Sequence, residues 1–305
     1  MSNLINVTLL KDSTFEEEAG CPLKPTRLRT FLCEFPRIVL AGLNTHGMLS
    51  KSAASSRAIP FEKMVSQQLG GRPVRFGEKN SGMQDKGENH TSPVFIDNKE
   101  FSAKDAWEYI QNKNKGYSEA FYKAGYHKQV YNRITEPYQK IRVLITGTDF
   151  NNFYWLRCDR AADPTISELS TKMKEAEDMS IPRVLHKHQY HAPFVDLGLD
   201  GKYYYLGEEL SIDLVPIVSS ALCAATSFRN ENYTVEKCIE IYTKLVMTDK
   251  KHSGALEHVA IPATNEARKI IPHLICSDTD EYIYFGRARN WIQHRKFIKD
   301  ECMRW

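Results

Sequence analysis

Residues 44–64 read NTHGMLSKSAASSRAIPFEKM. One His, four Ser and one Arg stand among small residues, directly after the apolar run RIVLAGL. Packing alone does not ask for this mixture. Small residues let a backbone approach a ligand. Hydroxyls and a guanidinium beside exposed N–H groups make a cradle for an anion. The stretch reads as a loop between two helices. The first, PRIVLAGLNTH (36–46), is short and buried and opens on Pro36. The second, PFEKMVSQQLG (60–70), opens on Pro60 and closes at Gly70 and Gly71.

Working outward, residues 3–11 and 28–35 carry β-branched and apolar residues and read as strands. Residues 77–100 are polar and Gly-containing, a loop. Ser102 is the expected N-cap of a helix with Asp105 in its first turn, and helices are expected over 103–113 and 116–133. KIRVLITGTD (140–149) reads as a strand and DFNNFYWLR (149–157) as a short helix. Pro164 opens a further helix with Ile166, Leu169 and Met173 at helical spacing. Residues 180–210 are rich in Tyr and His and irregular, and helices follow near 212–226 and 234–248. The fold class is α+β, with a central mixed or antiparallel sheet packed by long helices. No low-complexity linker divides residues 1–305, so a single domain is expected.

The chain of 305 residues is 42% hydrophobic and 26% charged, as in a globular protein with a sizeable core. A net charge of +3 is too small for bulk attraction to nucleic acid, and no nucleic-acid partner is expected. No apolar run approaches the ~18 residues of a membrane span. The first twenty residues lack the basic start and apolar centre of a signal peptide. Seven Cys are scattered, odd in number and never spaced C-x-x-C, which points away from a disulfide framework or zinc site and toward a reducing cytoplasm. The cluster HKHQYH (186–191) lacks a second ligand group and reads as a solvated loop, so no metal is expected.

Thr45-His46-Gly47-x-x-Ser50-x-Ser52-Ala53-x-Ser55-Ser56-Arg57 resembles the signature R-H-R-x-x-S-x-N-E-x-S-x-R of the flavin-dependent thymidylate synthases. The His, both framing Ser and the final Arg stand in register. A viral-type branch of that family reads T-H-R-x-x-S-R-N-A-x-S-S-R-A-I-P, and the match to it continues through Ala58, Ile59 and Pro60. HKQVYNRITEP (127–137) resembles the family segment with an Arg four residues before a Pro, here Arg133. TDFNNFYWLRCDRAADPTI (148–166) resembles the segment in which an Asn and an Arg, here Asn152 and Arg157, frame a short helix. Residues 28–175 are thus the family-like core, and 176–305 a C-terminal helical extension. Within the extension, SGALEHVAIP (253–262) and RARNWIQHR (287–295) resemble segments that precede the family signature. They stand after the core here, as chance matches or as pieces that complete the site in a rearranged order.

The resemblance implies transfer of a one-carbon unit from methylenetetrahydrofolate to C5 of dUMP, with FAD as cofactor and NADPH as reductant. It implies a homotetramer with sites between subunits. It places Ser55, Ser56, Arg57 and Arg133 on the nucleotide and Arg157 in the catalytic role beside the pyrimidine carbonyls. It places His46, Ser50, Asn152 and His258 on the flavin. By residue type alone the same groups have simpler uses. Ser55 and Ser56 serve in turns, Asn152 caps a helix, and His46 or His258 is a satisfied polar residue.

The sequence departs from the pattern at Gly47, where the family has Arg, at Ser52 for Asn, at Ala53 for Glu and at Asp163 for Gln. Losing a charged hydrogen bond costs about 1.5–3 kcal/mol. Lys51 restores charge nearby without the planar fork of Arg. Two further readings stay open: another C5 modification of a pyrimidine nucleotide, such as hydroxymethylation, and a catalytically silent nucleotide-binding homologue.

Overall fold

The computed structural model describes residues 4–85, 87–228, 233–248, 251, 253–265 and 286–299. Its centre is a five-stranded sheet of β1 (Asn6–Phe15), β2 (Leu28–Pro36), β3 (Ser50–Ala53), β6 (Lys140–Gly147) and β7 (Arg183–Leu185), while β4 (Val94–Ile96) and β5 (Lys99–Phe101) pair with each other outside it. The strand order is β3-β6-β2-β1-β7. Only the β1–β7 pair is parallel, so the sheet is mixed, as the α+β reading expects.

The sheet has two unlike faces because alternate residues point to opposite sides. Register pairs Phe31 with Ile145, Cys33 with Val143 and Phe35 with Ile141, all buried. This apolar face packs under five helices: α1 (Leu40–Asn44), α2 (Phe61–Gln67), α4 (Lys128–Ile134), α5 (Asn151–Arg157) and α6 (Pro164–Asp178). α3 (Ala103–Lys123) lies outside them against α4. α6 starts where Pro164 predicts, and Asp163 caps it by accepting from the amides of Thr165 and Ile166.

The opposite face carries Ser13, Thr30, Thr146, Ser50 and Ser52, and the chain beyond α6 covers it. That part holds α7 (Val215–Ala224) and α8 (Val235–Val246), so it is partly helical. It also holds β8 (Asp196–Leu197), β9 (Tyr203–Tyr205) and β10 (Glu208–Leu210), and a two-stranded pair of β11 (Ala260–Pro262) and β12 (Trp291–Gln293). A buried polar seam joins it to the sheet. Ser13 Oγ meets His191 Nδ1 at 3.0 Å, and His191 Nε2 meets Thr30 Oγ1 at 2.8 Å. Thr30 and Thr146 hydroxyls lie 2.7 Å apart, and His258 bridges Thr146 to Ser52 at 2.8 Å on each side.

Three expectations are corrected. Residues 50–53 form strand β3 instead of a loop, because their backbone completes the edge of β6. Residues 103–123 form one helix: Gly116 is tolerated inside it, and the break falls at Gly125, whose φ of +81° suits a residue without Cβ. The loop 77–100 ends in a hairpin of β4 (Val94–Ile96) and β5 (Lys99–Phe101), with Asp97 and Asn98 both at positive φ, as a two-residue turn between twisted strands requires. Among the described residues no helix is long and apolar enough to cross a membrane.

Candidate functional site

Seven of the nine candidate residues fall into two groups, one near each end of β3. At its start, the turn 45–49 meets α5. Arg157 Nε donates to His46 Nε2 at 2.9 Å, and its Nη2 reaches Thr45 Oγ1 at 3.3 Å and the Gly42 carbonyl at 3.4 Å. The His46 ring stands edge-on to Phe153 at 4.9 Å. Because Arg157 donates to Nε2, the imidazole is neutral with its proton on Nδ1. Partial burial, then the Arg157 and Lys51 cations, hold its pKa below the ordinary value. Thr45, His46, Phe153 and Arg157, with Asp149, Asn151, Asn152 and Leu156, line a pocket of about 390 Å³. Three candidates therefore share one pocket: His46, Asn152 and Arg157.

Gly47 is on the rim, and a Cβ built on it meets nothing within 4 Å. Its φ lies outside the left-handed region. The Gly47→Arg variant is expected to fold with stability within about 0.5 kcal/mol of the parent, as for surface changes generally. Thermal denaturation checks this; a larger loss would show that position 47 is closed to a side chain. Lys51 donates its ammonium to the His46 carbonyl. Its pKa is pushed down to about 8, by burial first and by Arg287 second, with Glu257 opposing.

At the other end of β3, residues 54–59 make a tight turn pinned from α4. The Nδ2 of Asn132 donates to the carbonyls of Ser56 at 2.7 Å and Ile59 at 2.9 Å. Asn132 is fully buried. Arg57 and Arg133, the chain neighbours of Ser56 and Asn132, are both exposed, and neither has an ion-pair partner among the described residues. Ser55 Oγ accepts from the Arg57 amide at 3.3 Å. Ser56 is turned inward and donates to Glu136 at 2.8 Å, and Glu136 pairs with Arg37 at 2.9 Å. Arg133 is close enough to Arg37 to depress its pKa after burial, with Glu136 opposing. The patch is therefore cationic, with one carboxylate against three guanidinium groups.

Ser50 and His258 lie in neither group. Ser50 is fully buried and accepts from Gln293 Nε2 at 3.1 Å. His258 lies in the seam with both ring nitrogens bonded, and its full burial pushes its pKa down to about 3. Of the three His in HKHQYH, His186 faces Glu16 at 2.8 Å, His188 sits at positive φ and His191 is in the seam.

Sequence reading missed Asn132 and Asp149. Both lie inside the quoted motif segments, but their roles rest on contacts about 75 to 140 residues away in the chain. A cavity of about 800 Å³ lies between residues 74–87 and α6, and no candidate residue lines it.

No family model matches the chain, and no curated protein matches it. Solved structures do. Thymidylate synthase X from Helicobacter pylori, solved with FAD and dUMP, is 14% identical with a TM-score of 0.34, over 49% of this chain and 67% of that one. A UMP/dUMP methylase from Streptomyces cacaoi, bound with 5-Br dUMP, is 13% identical with a TM-score of 0.39, over 57% of this chain and 89% of that one. At these scores no residue role is transferred from either.

Proposed function

We propose that this chain binds dUMP and transfers a one-carbon unit from methylenetetrahydrofolate to its C5, with FAD as cofactor and NADPH as reductant. The observation that carries the reading is the Arg157–His46 hydrogen bond at 2.9 Å. It joins two sequence segments, each of which resembles a motif of one family, in a single pocket. The pocket suits a planar heterocycle: its walls offer a guanidinium, two Asn and an imidazole beside Phe153 and Leu156. Bound flavin supplies the hydride chemistry.

In this reading Arg57, Arg133 and the turn at Ser55–Ser56 hold the nucleotide phosphate. Arg157 faces the pyrimidine carbonyls. A fixed cation there stabilises the negative charge that develops when C5 is activated more than it stabilises the ground state. His46 keeps Arg157 in place, and Asn152 offers an amide to the flavin. Ser50 and His258 act from behind, by seating the C-terminal segment. A homotetramer brings the two ends of β3 from different copies to one ligand, in a cytoplasmic enzyme. The open space at Gly47 favours one second reading, a bulkier C5 product such as hydroxymethyl; labelled folate and product analysis separate the two. A silent homologue binds dUMP and turns nothing over.

Arg57→Ala is expected to weaken dUMP binding roughly ten- to hundredfold with thermal stability unchanged. Calorimetry checks it, and unchanged affinity would overturn the phosphate assignment. An absorption spectrum with FAD and then dUMP checks the cofactor.

A further inference from the structure

Two cations grip the turn that carries His46. Lys51 Nζ donates to the His46 carbonyl at 2.5 Å, and Arg287 Nη1 donates to the Leu49 carbonyl at 3.4 Å. The turn also closes on itself, the Leu49 amide donating to the His46 carbonyl at 3.3 Å. Gly47 brings no side chain that could anchor it. Lys51 stands on β3, where its backbone pairs with Ile145 of β6, so the stiff sheet carries the ammonium that holds the turn.

The ring in that turn is what Arg157 leans on. Arg157 Nε donates to His46 Nε2 at 2.9 Å, which requires a neutral ring. A protonated ring would set one N–H against another and one cation against another. The Lys51 ammonium disfavours that protonation, after burial and Arg157 itself. Losing it therefore loosens the turn and eases proton uptake by the ring, and both changes reach Arg157. The charged groups facing this pair are Arg157 from α5 and, beyond β3, Arg287 and Glu257. Glu257 already pairs with Arg295 and, at 3.7 Å, with Arg287. Asp149 lines the same pocket and pairs with Arg289.

We infer that Lys51 is a positioning residue of this site: its ammonium, seated on the His46 carbonyl, fixes the turn and the ring that aim Arg157 into the pocket. The inference rests on the nucleotide reading above and names what sets the direction of its central cation. Lys51 acts through His46 and is not in the pocket wall.

The test is calorimetric titration of the full chain with dUMP from about pH 6 to 9, with the His46 ring followed by NMR of the isotope-labelled imidazole. The proteins are the parent, Lys51→Met, Lys51→Arg and Arg287→Gln. Lys51 is charged below about 8 and loses its proton above it. Parent affinity is therefore expected to hold at pH 7 and to fall about tenfold as pH rises through that value. Lys51→Met is expected to bind about tenfold more weakly at pH 7, with no further fall near pH 8. Its His46 ring is expected to take up a proton at higher pH than in the parent. Lys51→Arg keeps the charge, so affinity at pH 7 returns in part and the fall near pH 8 disappears. Arg287→Gln is expected to move that fall to higher pH, because Arg287 disfavours the Lys51 charge. A purely structural lysine would lower the melting temperature and leave the pH profile alone. The inference is overturned if the parent binds dUMP with no fall near pH 8, if the fall persists in Lys51→Met, or if His46 titrates alike in both. In those cases dUMP binding leaves the nucleotide reading standing. If the parent does not bind dUMP, that reading fails, and the His46 titration alone decides whether Lys51 sets the ring.

Discussion

Lowering the pH from 7 to 5 is expected to remove about 4 kcal/mol of folding stability through His258 and His294, with His191 acting in the same direction. His191 and His258 are fully buried and His294 nearly so. Burial disfavours the imidazolium in all three. It holds His191 well below its ordinary value, helped by Lys11 and His258, and puts His258 at about 3 and His294 at about 4. In the unfolded chain each titrates near 6.5. Between the folded and unfolded values the unfolded state binds the extra proton. The stabilising contribution of these groups is therefore whole above pH 6.5 and is lost as pH falls below it. A titrating group costs about 1.4 kcal/mol per pH unit, so His258 and His294 cost about 2 kcal/mol each at pH 5 and His191 adds to the loss. That is comparable with the whole stability of an ordinary domain, about 5–15 kcal/mol. Urea denaturation at a series of pH values measures it. A stability constant between pH 7 and 5 would mean that the histidines are not buried neutral.

The second large effect is expected at Asn132. Asn132→Asp deletes the Nδ2 donor that pins the carbonyls of Ser56 and Ile59 and sets a carboxylate against both. Its backbone carbonyl still takes bonds from Gln139 and Thr135, but its side-chain oxygen has no hydrogen-bond partner, so the new charge is not paired by direct contact. An uncompensated charge at a fully buried position costs roughly 3–5 kcal/mol. The turn carrying Arg57 is released at the same time, so dUMP affinity falls together with stability. Arg57→Ala lowers affinity alone, and the pair of variants separates the pin from the ligand contact. An Asn132→Asp protein with parental melting temperature would show that the turn holds itself.

What was legible in the sequence followed local rules. Pro164 marks a helix start because its missing N–H costs nothing there, and the apolar, β-branched runs of β2 and β6 mark strands. The motif frame found His46, Asn152 and Arg157, which do share a pocket. What was hidden depends on partners far away in the chain. Ser50–Ala53 is polar and short, and becomes a strand only because β6 offers an edge. Its small hydroxyl residues read as ligand-facing, yet Ser50 and Ser52 are used to dock Gln293 and His258. Asp149 resembles any loop carboxylate until Arg289, 140 positions later, is placed against it. His258 carries a motif resemblance and a buried structural position at once, and only its two 2.8 Å bonds tell which the fold uses.

The four residues of β3 also act as a ruler. The strand separates the Arg157 pocket from the Arg57 turn by roughly 10 Å along the chain, at about 3.3 Å per residue. Strands are stiff, and β3 is clamped to β6. A single inserted residue either turns part of the strand over or has to be absorbed as a bulge, as β1 does between Leu9 and Lys11. Steps of two residues keep both faces in order without a bulge, so the distance between the Arg157 pocket and the Arg57 turn is most easily inherited in discrete lengths.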